Sequence, residues 1–257
     1  MPELPDVEVW RSYLAHTVMH KKITDIRMTG GRVFHSPQKD IMSLKNRSFE
    51  DTSRHGKYCF LDTDSKKTLV LHFGMTGNVK YYRDEDDPRH ALLIVRFSDG
   101  HKFAFINIRK LGKVLVTEDK EKFIRENVPG PDALAISKKE FLKIMRAKRG
   151  KIKTALMDQK SIAGIGNIYA DEILYHSGLD PGRKTGSLDE DSLKRIYEKM
   201  RSVLKTAVEC KADVEKMPDN YLIKRRKKGL SCPQNKGKIK KRTIGGRSTY
   251  YCAEHQR

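Results

Sequence analysis

Cysteines, long apolar runs and targeting signals are scarce in this chain of 257 residues. Its 4 cysteines are too few for a disulfide-stabilised scaffold of this length. The longest apolar runs, such as residues 68–73, are the size of a strand, so we expect no transmembrane helix. The start, MPELPDVEVW, has acidic residues where a signal peptide needs a basic start and an apolar run. We therefore expect a reduced, cytoplasmic protein.

Acidic residues are also scarce relative to basic ones. The chain has 33 Asp and Glu against 53 Lys and Arg, a formal net charge of +20. A hydrophobic fraction of 37% still allows a buried core and excludes wholesale disorder. This charge disfavours a cationic partner and favours a polyanion, with nucleic acid first and an anionic membrane surface second.

The first half of the chain predicts a helix followed by a β-rich region. Pro5 and Asp6 suit a first helical turn, and apolar residues at helical spacing predict a helix over residues 5–17. Short β-rich runs separated by turn signals follow between about residue 23 and residue 116. We predict strands at 58–62, 68–73, 79–82, 91–97, 102–106 and 113–116. Several short strands in series indicate an antiparallel sandwich or barrel.

A Pro- and Gly-containing break at residues 128–132 separates this region from a helical one. Helices are predicted at 152–157, 167–177 and 188–209, with a further helix after a capping box formed by Ser137 and Glu140. Gly245 and Gly246 lie between two β-runs, 238–244 and 247–252, which predicts a hairpin. The predicted α+β plan is a β-sandwich domain (1–128), a linker (129–136), a helical domain (137–222) and a basic hairpin element (223–257).

The N-terminus could serve as a chemical reagent. Removal of Met1 before a small residue leaves Pro2 as a terminal secondary amine, and an α-amino group titrates near ~8. Such an amine can attack a sugar aldehyde carbon to form an iminium, and Glu3 beside it could move a proton. Alternatively, Met-Pro is a common start and Glu3 is solvated.

Five further short motifs follow the N-terminal segment along the chain, and their order is as informative as their sequences. They are RHGKY at 54–58, HFGMTG at 72–77, IKTALMD at 152–158, GIGNIYADE at 164–172 and GRSTYYC at 246–252. Together with MPELPDVE at the start, they resemble the formamidopyrimidine-DNA glycosylase/endonuclease VIII family over nearly the whole chain, with the start favouring the formamidopyrimidine branch. The resemblance implies a β-sandwich, a helix–two-turn–helix domain and a hairpin finger.

The resemblance also implies a catalytic set. Members of this family excise damaged bases and then cut the strand by β,δ-elimination. By resemblance, Pro2 is the nucleophile at C1′ of the deoxyribose and Glu3 protonates the opening sugar. Lys57 is expected to contact phosphate and assist elimination, and Arg247 to grip phosphates beside the lesion, where a guanidinium fork suits phosphate oxygens. An ordinary exposed lysine is the alternative for Lys57.

Other positions match the DNA contacts of the family. Backbone amides of a glycine turn and a helix N-terminus form an anion site, so the turn at residues 164–167 is expected to bind phosphate, or else to be a tight turn only. By resemblance, Lys153 and Asn167 hold backbone phosphates, and His90 and Arg109 contact DNA. Because the damaged base is flipped out, residues must fill the hole. By resemblance, the residues that fill the hole are Met75, Arg109 and Leu111. Leu111 stands where the formamidopyrimidine branch usually has an aromatic residue.

Two departures from the family pattern concern the end of the chain. The family finger has four cysteines, whereas Cys232 is followed three positions later by Asn235, and Cys252 by His255. Cys232, Cys252 and His255 could bind a structural zinc ion with the fourth ligand missing, or the metal could be lost and packing alone hold the hairpin. No cofactor is expected for the chemistry. The loop that caps a flipped oxidised purine looks shortened between Val208 and Cys232, which predicts a preference shifted away from 8-oxoguanine.

The resemblance therefore predicts a monomeric DNA glycosylase and abasic-site lyase of base excision repair. Its partner would be double-stranded DNA with oxidised bases or abasic sites, in the cytoplasm on the nucleoid, with no membrane partner. Two alternatives are a lesion-binding protein that has lost catalysis and an unrelated basic RNA-binding protein. Cleavage of abasic duplex DNA without a metal ion is expected of the glycosylase and lyase and of neither alternative.

Overall fold

The structure, a computed structural model, describes residues 2–257 and divides into two compact units. The first contains Pro2 and residues 6–127, and the second contains residues 3–5 and 128–257. The first residues of the N-terminal helix thus group with the second unit. Within residues 2–257, no helix combines the length and the apolar character that crossing a membrane requires.

The first unit is built on two four-stranded sheets in which every neighbouring pair is antiparallel. One sheet has the order β1-β6-β7-β5 and the other β2-β3-β4-β8. The strands are β1 (Ile23–Met28), β2 (Phe49–His55), β3 (Tyr58–Thr63), β4 (Thr68–His72), β5 (Gly77–Tyr82), β6 (Ala91–Phe97), β7 (Lys102–Asn107) and β8 (Lys113–Thr117). The helices are α1 (Leu4–Thr17), α2 (Gln38–Met42) and α3 (Lys120–Asn127).

Residues from both sheets and from α1 share one apolar core. Phe105 and Val95 of one sheet and Leu61 and Leu71 of the other pack in the same buried cluster, and Leu14 of α1 joins them. Two sheets packed on a common core make the predicted antiparallel β-sandwich with its flanking helix.

The strands β1 and β2 were not predicted, and both are edge strands. Their sequences, ITDIRM and FEDTSRH, are largely polar, and each has an irregular register near its start. An edge strand needs few apolar residues because much of it faces water. The alternation of apolar and polar residues that predicts a strand is therefore weak in β1 and β2.

The second unit contains four α-helices of its own, three short 3₁₀ helices and a two-stranded hairpin. The α-helices and strands are α4 (Lys138–Arg146), α5 (Ile152–Met157), α6 (Asn167–His176), α7 (Glu190–Glu209), β9 (Ile239–Ile244) and β10 (Arg247–Cys252). The Ser137 hydroxyl accepts a hydrogen bond from the Glu140 amide, as the capping box predicts. Gly245 and Gly246 have φ of 56° and 71°, the left-handed values that a two-residue hairpin turn needs.

Residues 128–136 pack into this second unit. Ala133 and Ile136 are buried in its core, and the Ala133 amide donates to the Ala163 carbonyl. The segment predicted as a linker is thus bonded to the turn that precedes α6.

Candidate active site and nucleic-acid interface

The Glu3 carboxylate is bound at the N-terminus of α6. It is fully buried, and its Oε2 atom accepts hydrogen bonds from the amides of Gly166 (2.8 Å) and Tyr169 (3.1 Å). Its Oε1 atom accepts from the Ile168 amide at 2.8 Å. The first amides of a helix have no intrahelical acceptor and carry partial positive charge, so a carboxylate is stabilised there. Both oxygens of Glu3 therefore have a fixed orientation.

The glycines of the turn before α6 make this approach possible. A Cβ at Gly164 would lie 2.6 Å from Leu4 Cδ1, and a Cβ at Gly166 would collide with the Glu3 carboxylate. Gly164 also has φ of 110°, and its carbonyl accepts the Leu4 amide. The turn was expected to bind a DNA phosphate. In the structure, the amides of Gly166, Ile168 and Tyr169 bind the chain's own carboxylate. A phosphate contact at this turn stays a prediction.

Lys153 and Asn167 both contact strand β10. The Lys153 ammonium donates to the Thr249 hydroxyl (2.7 Å) and the Ser248 carbonyl (3.2 Å), and the Asn167 side-chain amide donates to the same carbonyl at 3.0 Å. Lys153 is fully buried, so its ammonium faces the protein and not the surface. A direct phosphate contact by either residue stays a prediction.

A buried ionic network joins Lys153 to the segment between α7 and the hairpin. Asp171 lies 2.8 Å from the Lys153 ammonium and 2.7 Å from the Arg226 guanidinium, and it accepts the Tyr250 amide. Burial and the charge of Arg226 lower the pKa of Lys153, whereas Asp171 and Glu3 oppose the shift. Removing one partner of such a network costs about 3–5 kcal/mol, because a buried charge loses its compensation. The network therefore fixes β10 against α6.

Arg247 is exposed at the start of β10, directly after the Gly-Gly turn. The residues that follow it, Ser248 to Tyr250, are held by Lys153, Asn167 and Asp171. The guanidinium is thus carried on an anchored strand and is open to an anionic partner.

In the first unit, Lys57 lies in the tight turn between β2 and β3. On the adjacent strand, Tyr58 pairs with His72, and His72 in turn pairs with Lys113 of β8. Burial, together with the charges of Lys113 and Lys57, lowers the pKa of His72 to about 4. His72 lies within one of the ordered motifs, but the motif alone predicts no role for it. Its place near two lysines becomes evident only from the strand register.

Three of the exposed large hydrophobic residues lie on two turns of the first unit. Met75 is in the β4–β5 turn, 39% exposed, and Ile108 and Leu111 are in the β7–β8 turn, 59% and 50% exposed. Exposed apolar side chains of this size on a charged protein indicate a contact surface. The void-filling role of Met75 and Leu111 stays a prediction, and Ile108 was missed.

Asn107 connects these two turns. It is fully buried, its side-chain amide donates to the Phe73 carbonyl (2.9 Å), and its oxygen accepts the Leu111 amide (3.1 Å). The backbone of Arg109 donates to the Thr76 hydroxyl, which adds a further link. The two turns are therefore held together as one surface.

His90 is exposed in the loop before β6, with a left-handed φ of 64°. Its carbonyl accepts the Asn107 amide, so this loop is tied to the end of β7. A DNA contact by His90 stays a prediction.

Comparison with known proteins identifies the family. Residues 1–114 match the profile of the formamidopyrimidine-DNA glycosylase N-terminal domain, and residues 128–219 match that of the formamidopyrimidine-DNA glycosylase H2TH domain. A formamidopyrimidine-DNA glycosylase of Pelotomaculum thermopropionicum is 31% identical over 274 residues, which cover 100% of this chain and 99% of the relative. The chain belongs to the formamidopyrimidine-DNA glycosylase family. The resemblance predicted from the ordered motifs is confirmed.

Other members of the formamidopyrimidine-DNA glycosylase family agree. The enzyme of Shouchella clausii is 28% identical and covers 100% of this chain and 99% of its own length. Two structures of Lactococcus lactis Fpg are each 25% identical, with TM-scores of 0.90. One complex contains FAPY-dG DNA and covers 99% of this chain and 100% of its own; the other contains DNA with an abasic site and covers 99% of both. The predicted fold class is confirmed.

The predicted zinc ligands of this family member do not converge. Cys232 and Cys252 are buried in one cluster, but the Nε2 atom of His255 lies 2.8 Å from the Tyr175 carbonyl, to which it must donate. Among residues 2–257, no three His, Cys, Asp or Glu side chains are arranged to hold a metal ion. Because structural zinc takes four ligands, two thiols and an asparagine do not fit a zinc site.

The segment between α7 and the hairpin is folded against α6. Met217 and Tyr221 are buried, and the amides of Leu222 and Ile223 donate to the buried Glu172 carboxylate at 2.8 and 2.7 Å. From Lys224 to Lys228 the sequence is basic, but Arg226 is used in the network with Asp171. Sequence reasoning missed these anchors because Asp171 and Glu172 resemble ordinary surface acids within a helix.

Proposed function

We propose that this chain is a bifunctional DNA glycosylase and abasic-site lyase that acts on oxidised bases in duplex DNA. The observation that carries the proposal is the buried Glu3 carboxylate, oriented by three backbone amides and adjacent in the chain to Pro2. Membership of the formamidopyrimidine-DNA glycosylase family supports the same chemistry. The enzyme would act as a monomer on chromosomal DNA in the cytoplasm.

The proposed reaction begins with the Pro2 amine once Met1 is removed. Its nitrogen bonds to C1′ of the damaged nucleotide while the glycosidic bond breaks, and the departing base takes a proton from water. The proton that the amine loses on bonding passes to the Glu3 carboxylate, which delivers it to the ring oxygen O4′, so the sugar opens and the amine adduct becomes an iminium. The iminium acidifies the C2′ protons, and successive eliminations break the C3′–O and C5′–O bonds. No metal ion takes part in these steps.

Basic residues hold the substrate in this proposal. Lys57 contacts phosphate and assists the eliminations, and Arg247 grips the phosphates beside the lesion. His90 and Arg109 contact the DNA, and Lys153 and Asn167 hold backbone phosphates. Met75, Arg109 and Leu111 fill the space that the flipped base leaves, since an extruded base leaves a gap in the stack. The anchored segment between Val208 and Cys232 shifts the substrate preference away from 8-oxoguanine.

Borohydride trapping on an abasic-site duplex tests this function, with the adduct located by peptide mass spectrometry. We expect a covalent adduct on Pro2 of protein that lacks Met1, and none on a duplex with a tetrahydrofuran analogue, which has no aldehyde. Glu3→Gln should bind the duplex and lose base release. DNA binding without any adduct would instead indicate a lesion-binding protein. An adduct on a lysine would show that a lysine amine, and not Pro2, is the nucleophile.

A further inference from the structure

A tyrosine hydroxyl lies where the two ends of the hairpin element meet. Tyr175, in the last turn of α6, is fully buried, and its hydroxyl is 3.0 Å from Cys232 Sγ. Its ring packs at 4.8 Å from the ring of His255, whose Nε2 donates to the Tyr175 carbonyl. One residue of α6 thus bonds to both ends of the element.

Cys252 supplies the second thiol beside Tyr175 and Cys232. Cys252 lies in the same buried cluster as Cys232, and its carbonyl accepts the amides of His255 and Gln256. Its thiol also donates to the Asn235 oxygen at 3.5 Å, and that oxygen in turn accepts the Gly237 amide. Each group that could have faced a metal ion therefore already has a partner within the protein.

We propose that the Tyr175 hydroxyl, with the thiols of Cys232 and Cys252, forms a metal-free hub that replaces a structural metal ion in the hairpin element. A divalent ion in such an element cross-links two turns, and here the phenol makes that cross-link by hydrogen bonds. Because Tyr175 is itself a residue of α6, the hub also ties the hairpin element to that helix. A metal ion held only by the two turns would not make this connection.

The hub makes Tyr175 a positioning residue for Arg247. Strand β10 is bonded to α5 and α6 at Ser248, Thr249 and Tyr250, and the hub secures its other end at Cys252. The exposed guanidinium therefore projects from a strand fixed along its length. This consequence rests on the proposed function, whereas the metal-free hub does not.

The metal content of the full-length protein tests the hub directly. Protein expressed in zinc-supplemented medium and dialysed should contain far less than one zinc per chain by emission spectroscopy. Treatment with a strong chelator should leave its Tm unchanged. One zinc per chain, or a chelator-dependent fall in Tm, would overturn the proposal, whether or not the protein cleaves DNA.

A pair of phenol-deleting variants tests the role of Tyr175. Tyr175→Phe should lower the Tm by about 2–8 °C, since a buried hydrogen-bonding group is lost from a chain of this size. It should also weaken binding to an abasic-site duplex severalfold. The matched control Tyr197→Phe removes a hydroxyl that donates to the Ile136 carbonyl in the same unit and should leave DNA binding unchanged. A Tm and binding affinity of Tyr175→Phe equal to wild type would contradict the hub.

Discussion

His72 illustrates how the surroundings of a single residue fix its charge. Its Nδ1 atom accepts the Gly74 amide at 3.3 Å, which requires an unprotonated nitrogen. Burial is the largest influence on its pKa, and the charges of Lys113 and Lys57 act in the same direction. A neutral imidazole therefore adds no positive charge beside the two lysines.

The lowered pKa of His72 predicts a loss of stability in mild acid. Above pH 6.5 the imidazole is neutral in both the folded and the unfolded chain and adds no pH dependence. Between 6.5 and about 4 the unfolded chain binds a proton that the folded chain does not. The free energy of unfolding should therefore fall by about 2 kcal/mol over this interval, after allowance for solvent screening.

Urea unfolding of wild type and His72→Asn at several pH values measures this effect. Asparagine keeps an acceptor for the Gly74 amide but does not titrate, so the variant should lack the loss between pH 6.5 and 4. Asp87 and Asp99, whose pKa values are lowered to about 2, destabilise the folded chain mainly below pH 4 and do so equally in both proteins. Parallel curves for the two proteins from pH 7 to 4 would contradict the assignment to His72.

Lys153 and Glu3 show what a sequence leaves undetermined at this scale. Residue type and motif order indicated that both belong to the site. They did not indicate that the Lys153 ammonium faces Asp171, or that the Glu3 carboxylate accepts amides at the start of α6. Both outcomes depend on pairs far apart in the chain, so local patterns carry no signal for them.

At the scale of elements, α6 organises the second unit. Seven consecutive residues, Tyr169 to Tyr175, are buried, so this helix is covered on every side. Its N-terminus binds Glu3, its middle bonds to β10 through Asp171, and its end reaches Cys232. A displacement of α6 would therefore move the candidate acid and the hairpin together.

Elements with strong local signals were predictable, and polar or edge elements were not. The limits of α5 and β10 agree with their predicted ranges, because apolar spacing and turn glycines mark them. The strands β1 and β2 and the helix α3 were missed. The last of these has no buried residue, so it shows little apolar periodicity.

The segment between α7 and the hairpin predicts a substrate preference. Its bonds to Glu172 and Asp171 hold it against α6, which leaves little slack to fold around a flipped purine. Single-turnover excision of 8-oxoguanine should therefore be at least about tenfold slower than excision of a hydantoin, a difference of about 1.4 kcal/mol in activation free energy.

The comparison uses duplexes that differ only in the lesion, and cleavage of a preformed abasic site serves as the control. That control should proceed at the same rate in each sequence context, since no base has to be held. Comparable excision rates for 8-oxoguanine and hydantoin would contradict the prediction that this segment determines which lesion is excised.

At the scale of the whole molecule, charge is the property that both units share. Each unit has its own apolar core, and the net charge of +20 exceeds what solubility requires. A protein that neutralises DNA phosphates releases condensed counterions, so its affinity falls linearly with salt on a logarithmic scale. The proposed DNA binding must therefore depend steeply on salt.

The salt dependence also tests Arg247 against the general charge. Affinity for a tetrahydrofuran duplex, measured by fluorescence anisotropy between 50 and 200 mM salt, should fall by at least about 10³-fold if six or more phosphates are contacted. Arg247→Ala should reduce the magnitude of the logarithmic slope by about 1, because one phosphate contact is lost. Lys205→Ala, which removes an equal charge from the exposed face of α7, should leave the slope unchanged. Equal slopes for all three proteins would mean that Arg247 makes no phosphate contact, and equal losses in both variants would mean that only net charge matters.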